Sequence, residues 1–166
     1  TATTGQMDGG ANFAGAPQSI SRASPSFPTG TAVRTSEIWF KMSSNVATAM
    51  GGWGDNAGAG RRWDLYYDPA FGLSVENQGD AAVFAWTYDT NWHHLVAVLP
   101  AVSSNVRTAL LYLDGVAKTV SGAGSANTMS TVNTEMRLGV IPGATVGYFN
   151  GIEDESKRTD AFAVLE

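Results

Sequence analysis

The sequence predicts an all-β domain, a sandwich or a barrel, with few or no helices. Short runs of β-favouring residues recur at regular spacing along the chain. Clusters of Gly, Pro, Asn and Ser separate these runs, as turns separate strands. No window longer than one or two helical turns keeps the 3.6-residue apolar period of an amphipathic helix.

The apolar runs and turn clusters define the predicted strands and one clear hairpin. In chain order, the strands are Gly10–Phe13, Ser36–Met42, Thr48–Gly52, Arg62–Asp68, Gly72–Glu76, Ala82–Tyr88, His93–Leu99, Ala109–Leu113, Val116–Val120, Met136–Val140 and Tyr148–Glu155. The pair Asp114-Gly115 separates two of them and supplies the positive φ angles that a two-residue type I′ turn requires. A tight antiparallel hairpin is therefore expected there.

Strand periodicity assigns side chains to faces. In the strand Arg62–Asp68 the face predicted to enter the core carries Trp63, Leu65 and Tyr67. The opposite face carries Arg62, Asp64, Tyr66 and Asp68.

Trp39 is predicted to stand on the polar face of its strand, between Glu37 and Lys41. Sugar rings stack on sheet-surface aromatics of this kind. The alternative is that a crossing loop covers Trp39, because large aromatics are usually mostly buried.

Composition bounds the class of protein. A chain of 166 residues with 43% hydrophobic and 15% charged residues fits one folded domain, here taken as residues 1–166. The net charge is −5 and the 10 Lys and Arg residues are scattered, which argues against a nucleic-acid partner. No apolar run approaches the ~20 residues of a membrane helix, so no membrane association is expected. Without cysteine, the chain has no disulfides, thiol nucleophiles or thiolate metal sites.

Compartment is indicated only by composition. Nineteen glycines, with few Lys and many Thr, Ser and Asn, favour an extracellular or cell-surface bacterial module. No signal-peptide pattern is present, and the opening at Thr1 suggests a module excised from a larger protein, while the ending Leu165-Glu166 is interpreted as a cloning scar. Other domains of that protein are therefore expected partners.

Several motifs resemble a known family. The segments Trp92–Val98 and Leu111–Gly115 resemble the core signature of laminin-G-like domains in the concanavalin A-like lectin/glucanase superfamily. Three further regions resemble family strands in the same order: Gly9–Gly15, Thr35–Lys41, and the closing pattern of Arg137–Gly139 with Tyr148–Glu155. The resemblance implies a two-sheet antiparallel jelly-roll sandwich.

The acidic run Glu153-Asp154-Glu155 is the sharpest catalytic candidate, because glycosidases of this fold use carboxylates on strands. Glu153 and Glu155 would share a strand face roughly 7 Å apart, whereas retaining glycosidases need about 5–5.5 Å. The resemblance instead implies a structural acidic pair closing the sandwich. We therefore predict no catalytic residue.

No metal site is predicted. His93 and His94 are adjacent, so they face opposite sides of a strand and cannot chelate one ion; both are interpreted as structural. A structural calcium stays open, since calcium takes 6–8 oxygen ligands and separated aspartates could supply some of them. The candidate aspartates are Asp55, Asp64, Asp68, Asp80 and Asp89.

The predicted ligand site lies in and beside the Gly-rich loop Gly51–Gly60. Its indole, carboxylate and amide groups suit a sugar, with the ring stacking on C–H groups and the polar groups binding hydroxyls. The predicted ligand-binding residues are Trp53, Asp55, Asn56, Arg62, Asp64 and Tyr66. The alternative is that Trp53 packs beneath the loop as a small satellite core.

The sequence thus predicts a non-catalytic carbohydrate-binding module whose partner is a polysaccharide or glycan. One alternative is a structural or protein–protein adhesion module with no sugar site. A second is a glycan hydrolase or lyase on the same fold. Fold alone does not decide among them.

Overall fold

The protein is a sandwich of two antiparallel β-sheets, as predicted, and its described residues include one short 3₁₀ turn at Val106–Thr108. The computed structural model describes residues 1–7, 9–23 and 26–159, with side chains described as far as Asp154 in the last strand. In the described part of the chain no helix is long and apolar enough to cross a membrane.

Within the described part of the chain, each sheet contains seven strands. The first sheet has, in spatial order, β1 (Ala2–Thr3), β2 (Gly10–Ala14), β14 (Asn150–Thr159), β4 (Arg34–Met42), β9 (His93–Leu99), β10 (Leu110–Leu113) and β11 (Val116–Lys118). The second has β12 (Ser121–Gly124), β8 (Asp80–Phe84), β7 (Gly72–Glu76), β6 (Arg62–Asp68), β5 (Thr48–Gly54), β13 (Glu135–Leu138) and β3 (Ile20–Ala23). This is the jelly-roll arrangement that the resemblance implied.

The core lies between the two sheets and follows the predicted alternation. Trp63, Leu65 and Tyr67 of β6 are at most 2% exposed. The hairpin turn has φ of 53° at Asp114 and 76° at Gly115, which are the left-handed values of a type I′ turn. Local pattern and tertiary packing agree in these elements.

Some boundaries differ from the prediction. The predicted strand Val116–Val120 ends at Lys118, because the chain then leaves the first sheet and begins β12 in the second. The predicted strand Ala82–Tyr88 ends at Phe84. Strands β1, β3 and β12 were not predicted, since they lie at or beside sheet edges and have largely exposed side chains without apolar alternation.

Candidate functional site

Trp53 is not a surface aromatic, and the prediction of an exposed indole in a loop is wrong. β5 extends to Gly54, so Trp53 is a strand residue on the inner face, 3% exposed. Its Nε1 donates to the carbonyl oxygen of Pro28 at 2.9 Å, and its ring packs against Phe27 and Trp63. Trp53 belongs to the main core rather than to a satellite cluster.

Asp55 and Asn56 brace the loop that follows β5. Asp55 receives two hydrogen bonds from Arg61, each 2.7 Å long, and one from the backbone N–H of Ala57 at 3.1 Å. The Arg61 bonds lower the pKa of Asp55 to about 2. Asn56 Oδ1 accepts from Arg62 Nη1 at 2.5 Å. Both side chains therefore already have protein partners.

Arg62 is the centre of a buried ionic network on the outer face of the second sheet. Its Nε donates to Asp64 Oδ1 at 2.7 Å, and its Nη2 donates to Glu76 Oε2 at 2.6 Å. Arg62 is 7% exposed and Asp64 is fully buried. Asp64 and Glu76 lie opposite each other in the β6–β7 ladder, which brings the two carboxylates to one guanidinium.

The pKa values of both carboxyl groups are raised, with burial as the largest cause. Burial raises the pKa of Asp64, although Arg62 opposes the shift. Burial and then the charge of Asp64 raise the pKa of Glu76 to about 7. Burial, followed by the neighbouring carboxylates, also raises the pKa of the Tyr66 hydroxyl to about 12, so Tyr66 stays neutral.

A groove of about 250 Å³ lies beside this network on the outer face of the second sheet. Its lining includes Tyr66, Asp68, Phe71, Ser74, Glu76 and Asp80. The predicted outward face of β6 is confirmed here, because Tyr66 and Asp68 both reach the groove. Of the predicted ligand residues, Tyr66 lines the groove, whereas Arg62 and Asp64 form the network next to it.

Phe71 is the exposed aromatic of the groove, and sequence reasoning did not single it out. It lies in the turn between β6 and β7 and is 59% exposed. The turn is ordered by hydrogen bonds from Ala70 N to Asp68 Oδ1 at 2.7 Å and from Phe71 N to the Asp68 carbonyl at 3.1 Å. The sequence feature that could have identified Phe71 is a large apolar residue inside the turn Pro-Ala-Phe-Gly.

Asp80 places an unused acceptor at the groove. Its Oδ1 accepts from Arg107 Nε at 2.7 Å and from the backbone N–H of Ala81 at 3.0 Å. Its Oδ2 is buried and has no hydrogen-bond partner among the described residues. Buried acceptors are normally satisfied, so this atom is suited to a donor from a ligand or a water molecule.

The acidic run of the last strand lies away from the groove. Glu153 pairs with Phe40 in the β14–β4 ladder and points into the core, 3% exposed, where burial raises its pKa well above the ordinary value. Asp154 Oδ2 accepts from the backbone N–H of Met7 at 2.8 Å. The side chain of Glu155 lies outside the described residues. A polysaccharide cannot reach Glu153 in this arrangement.

The two histidines of β9 make different side-chain contacts. His93 Nδ1 lies 2.8 Å from Asp114 Oδ2, and its Nε2 lies 3.1 Å from Asp89 Oδ1. His94 stacks on Trp39 with ring centroids 4.8 Å apart, so His94 covers one side of that half-buried indole. Within the described residues no three His, Asp or Glu side chains are grouped to hold a metal ion.

Comparison with known proteins identifies the fold. No family model matches the chain, and no curated protein matches it. Among solved structures, domains LG4-5 of the mouse laminin α1 chain are similar over 94% of this chain and 44% of theirs, with 9% identity and a TM-score of 0.63. The chain has the laminin-G-like jelly-roll fold.

Two other solved structures share this laminin-G-like fold with the chain. Domain 4 of AbnA, a GH43 extracellular arabinanase from Geobacillus stearothermophilus in complex with arabinotriose, is 16% identical. The similarity covers 95% of this chain and 73% of that one, with a TM-score of 0.62. The CBM40 of Ruminococcus gnavus IT-sialidase, bound to α2,3-sialyllactose, is 12% identical over 84% of this chain and 90% of that one, with a TM-score of 0.51.

Proposed function

We propose that this domain is a non-catalytic carbohydrate-binding module and that the groove on the second sheet is its glycan site. The observation that carries the proposal is the exposed ring of Phe71 at a groove lined by hydrogen-bonding groups. Sugars present apolar C–H faces together with hydroxyl donors, which match an aromatic ring beside carboxylates. Phe71 takes the stacking role that the sequence had assigned to Trp53.

The ionic network supports a rigid floor for this site. Arg62 holds Asp64 and Glu76 on adjacent strands, and preorganised polar groups lose less entropy on binding. The similar structures solved with arabinotriose and sialyllactose agree with a sugar-binding role. An extracellular or cell-surface location fits such a role, because the oligosaccharides and polysaccharides that such a module would bind are found there.

Binding and not hydrolysis is the better match to the geometry. Asp64 is fully buried and bonded to Arg62, so it is shielded from a substrate, and Glu76 shares the same guanidinium. A glycosidase needs two carboxyl groups that flank the scissile bond. We therefore propose that Glu76 and Asp68 bind hydroxyls and perform no chemistry.

We also propose that binding needs no metal. Four of the aspartates considered for calcium already have cationic partners or a histidine: Asp55 with Arg61, Asp64 with Arg62, Asp80 with Arg107, and Asp89 with His93. Glycan affinity should be the same with a chelator as with added calcium. A loss of affinity in the chelator would contradict this expectation.

A glycan array followed by titration tests the function. We expect micromolar to millimolar affinity for at least one oligosaccharide, as is usual for a small site with few contacts. Phe71→Ala should weaken it at least about tenfold, which is the scale of losing one aromatic stack. Val102→Ala is the matched control, because Val102 is 73% exposed and does not line the groove. An unchanged glycan affinity in Phe71→Ala would show that the groove is not the glycan site.

A second candidate function is adhesion through the edge of the first sheet. Val116, on the edge strand β11, is 58% exposed, and an exposed apolar side chain at a sheet edge suits a protein contact. An array without any bound glycan would favour this function over the first.

A further inference from the structure

The charged side chains that line the groove all have the same sign. Asp68, Glu76 and Asp80 line it, and among the described residues no Lys or Arg does so. Arg62 and Arg107 approach these carboxylates without being part of the lining. A ligand in the groove therefore meets carboxylate oxygens and an aromatic ring.

The neighbouring cations do not neutralise these acids completely. Arg62 is shared between Asp64 and Glu76, while Arg107 pairs with Asp80. Asp68 has no cationic partner among the described residues; its Oδ1 accepts from the backbone N–H of Ala70. Because the raised pKa of Glu76 keeps most of that side chain protonated at pH 6, the excess negative charge of the groove at that pH comes from Asp68.

The groove lining contains one unused acceptor. Among the described side chains that line the groove, only Asp80 has a buried polar atom without a hydrogen-bond partner, its Oδ2. An ionised carboxylate can accept hydrogen bonds but cannot donate them. Hydroxyl and ammonium groups would satisfy such atoms, whereas a sugar carboxylate or sulfate would add a second acceptor and a like charge.

The aromatic ring of Phe71 also favours a ligand that carries an ammonium group. The face of a phenyl ring is negative, so it attracts an ammonium group as well as C–H groups. Phe71 is exposed beside Asp68, from which its turn is built. An amine on a stacked sugar would interact favourably with both groups.

Resting on the function proposed above, we propose that the groove selects glycans by charge: it binds amine-bearing chains most tightly, neutral chains less tightly, and excludes anionic chains. The selection comes from the carboxylates of Asp68 and Asp80 in a lining without Lys or Arg among the described residues. Each step in this order should be worth about tenfold in Kd at low salt, the scale of one charge pair near a protein surface.

Three oligosaccharides with one backbone test the proposal. The probes are hexamers of β-1,4-glucose, of its 2-amino counterpart and of its 6-carboxylate counterpart, titrated by NMR at pH 6 and low ionic strength. We expect the amino hexamer to bind about a hundredfold more tightly than the carboxylate hexamer. Added salt should reduce this ratio, because screening weakens exposed charge interactions.

Asp68→Asn isolates the charge. Asparagine keeps an oxygen that can accept from Ala70, so the turn should be retained while one negative charge is lost. The ratio between the amino and carboxylate hexamers should fall about tenfold. Glu37→Gln is the matched control, since Glu37 is on the first sheet and should leave the ratio unchanged.

The outcomes separate this inference from the function on which it rests. A carboxylate hexamer that binds as tightly as the amino hexamer overturns the charge selection, as does an amino hexamer that fails to bind. Either result leaves the proposed function to be judged by the glycan array and the Phe71→Ala variant. An unchanged ratio in Asp68→Asn would also overturn the proposal.

Discussion

Trp63 donates its buried indole N–H to Ser36 Oγ at 2.7 Å, and this bond joins the two sheets through the core. Trp63 is fully buried, and Ser36 is the hydrogen-bond partner of its indole N–H. A lost partner for a buried donor costs about 1–3 kcal/mol.

Ser36→Ala should therefore lower the free energy of unfolding by about 1–3 kcal/mol, measured by urea denaturation. Ser43→Ala, at an exposed serine just after the same strand, is the control and should have little effect. Equal stabilities for the two variants would contradict a role for the inter-sheet bond.

Trp53 and Phe71 should give opposite results on truncation. Trp53→Ala removes a core side chain and should cost about 3–5 kcal/mol of stability. Phe71→Ala removes an exposed ring and should cost less than about 1 kcal/mol while weakening glycan binding. Thermal unfolding measures the stability of both variants, and glycan titration measures their affinity. A Trp53→Ala variant as stable as the wild type would contradict the expectation.

Removal of Arg62 should leave two carboxylates without their shared counter-ion. Arg62→Met is expected to cost about 3–5 kcal/mol at pH 8, because breaking a buried pair strands its charge. The cost should be smaller at pH 5, where Asp64 and Glu76 can take up protons. Arg61→Met, at the exposed neighbouring arginine, should show a much smaller change in urea denaturation at both pH values.

Glu76 should make stability fall as pH rises from about 4.5 to 7. Its pKa is near 7 in the folded protein and ordinarily 4.5, so the folded state keeps a proton that the unfolded state has lost. The difference between 4.5 and about 7 corresponds to roughly 3–4 kcal/mol at about 1.4 kcal/mol per pH unit. The free energy of unfolding of the wild type should therefore fall relative to that of Glu76→Gln as pH rises from about 4.5 to 7. An NMR titration of Glu76 with a midpoint near 4.5 would contradict the expectation.

His93 should stabilise the protein below neutral pH. Although burial opposes its charge, hydrogen bonds with Asp114 and Asp89 raise the pKa of His93. Both ring nitrogens can donate only in the protonated form, so the stabilisation is present below about pH 6.5 and is lost as pH rises through the raised pKa. The Tm of wild type should exceed that of His93→Gln by more at pH 5.5 than at pH 8.5.

His94→Gln provides the comparison for that experiment. It removes the neighbouring imidazole, which stacks on Trp39 and does not bridge two aspartates at hydrogen-bond distance. A Tm difference for His93→Gln with no dependence on pH would show that the two carboxylate contacts carry no ionic stabilisation.

The candidate site was only partly predictable. Alternation along β6 correctly placed Asp64, Tyr66 and Asp68 on one face, because side-chain direction in a strand depends on neighbouring residues alone. Glu76 was missed, although the short turn between Asp68 and Gly72 implies a hairpin that sets it opposite Asp64. Trp53 was misplaced because its small neighbours suggested a loop, whereas β5 continues through it.

By itself, the sequence determined the all-β class, most strand positions, the type I′ turn at Asp114-Gly115 and the two faces of β6, since these depend on local alternation and turn chemistry. Only the tertiary structure decided which aromatics are covered. Trp53 is buried because Phe27 and Trp63 pack against it, whereas Phe71 in the β6–β7 turn is 59% exposed. Burial is a property of the partners that folding brings together, and those partners lie far apart along the chain.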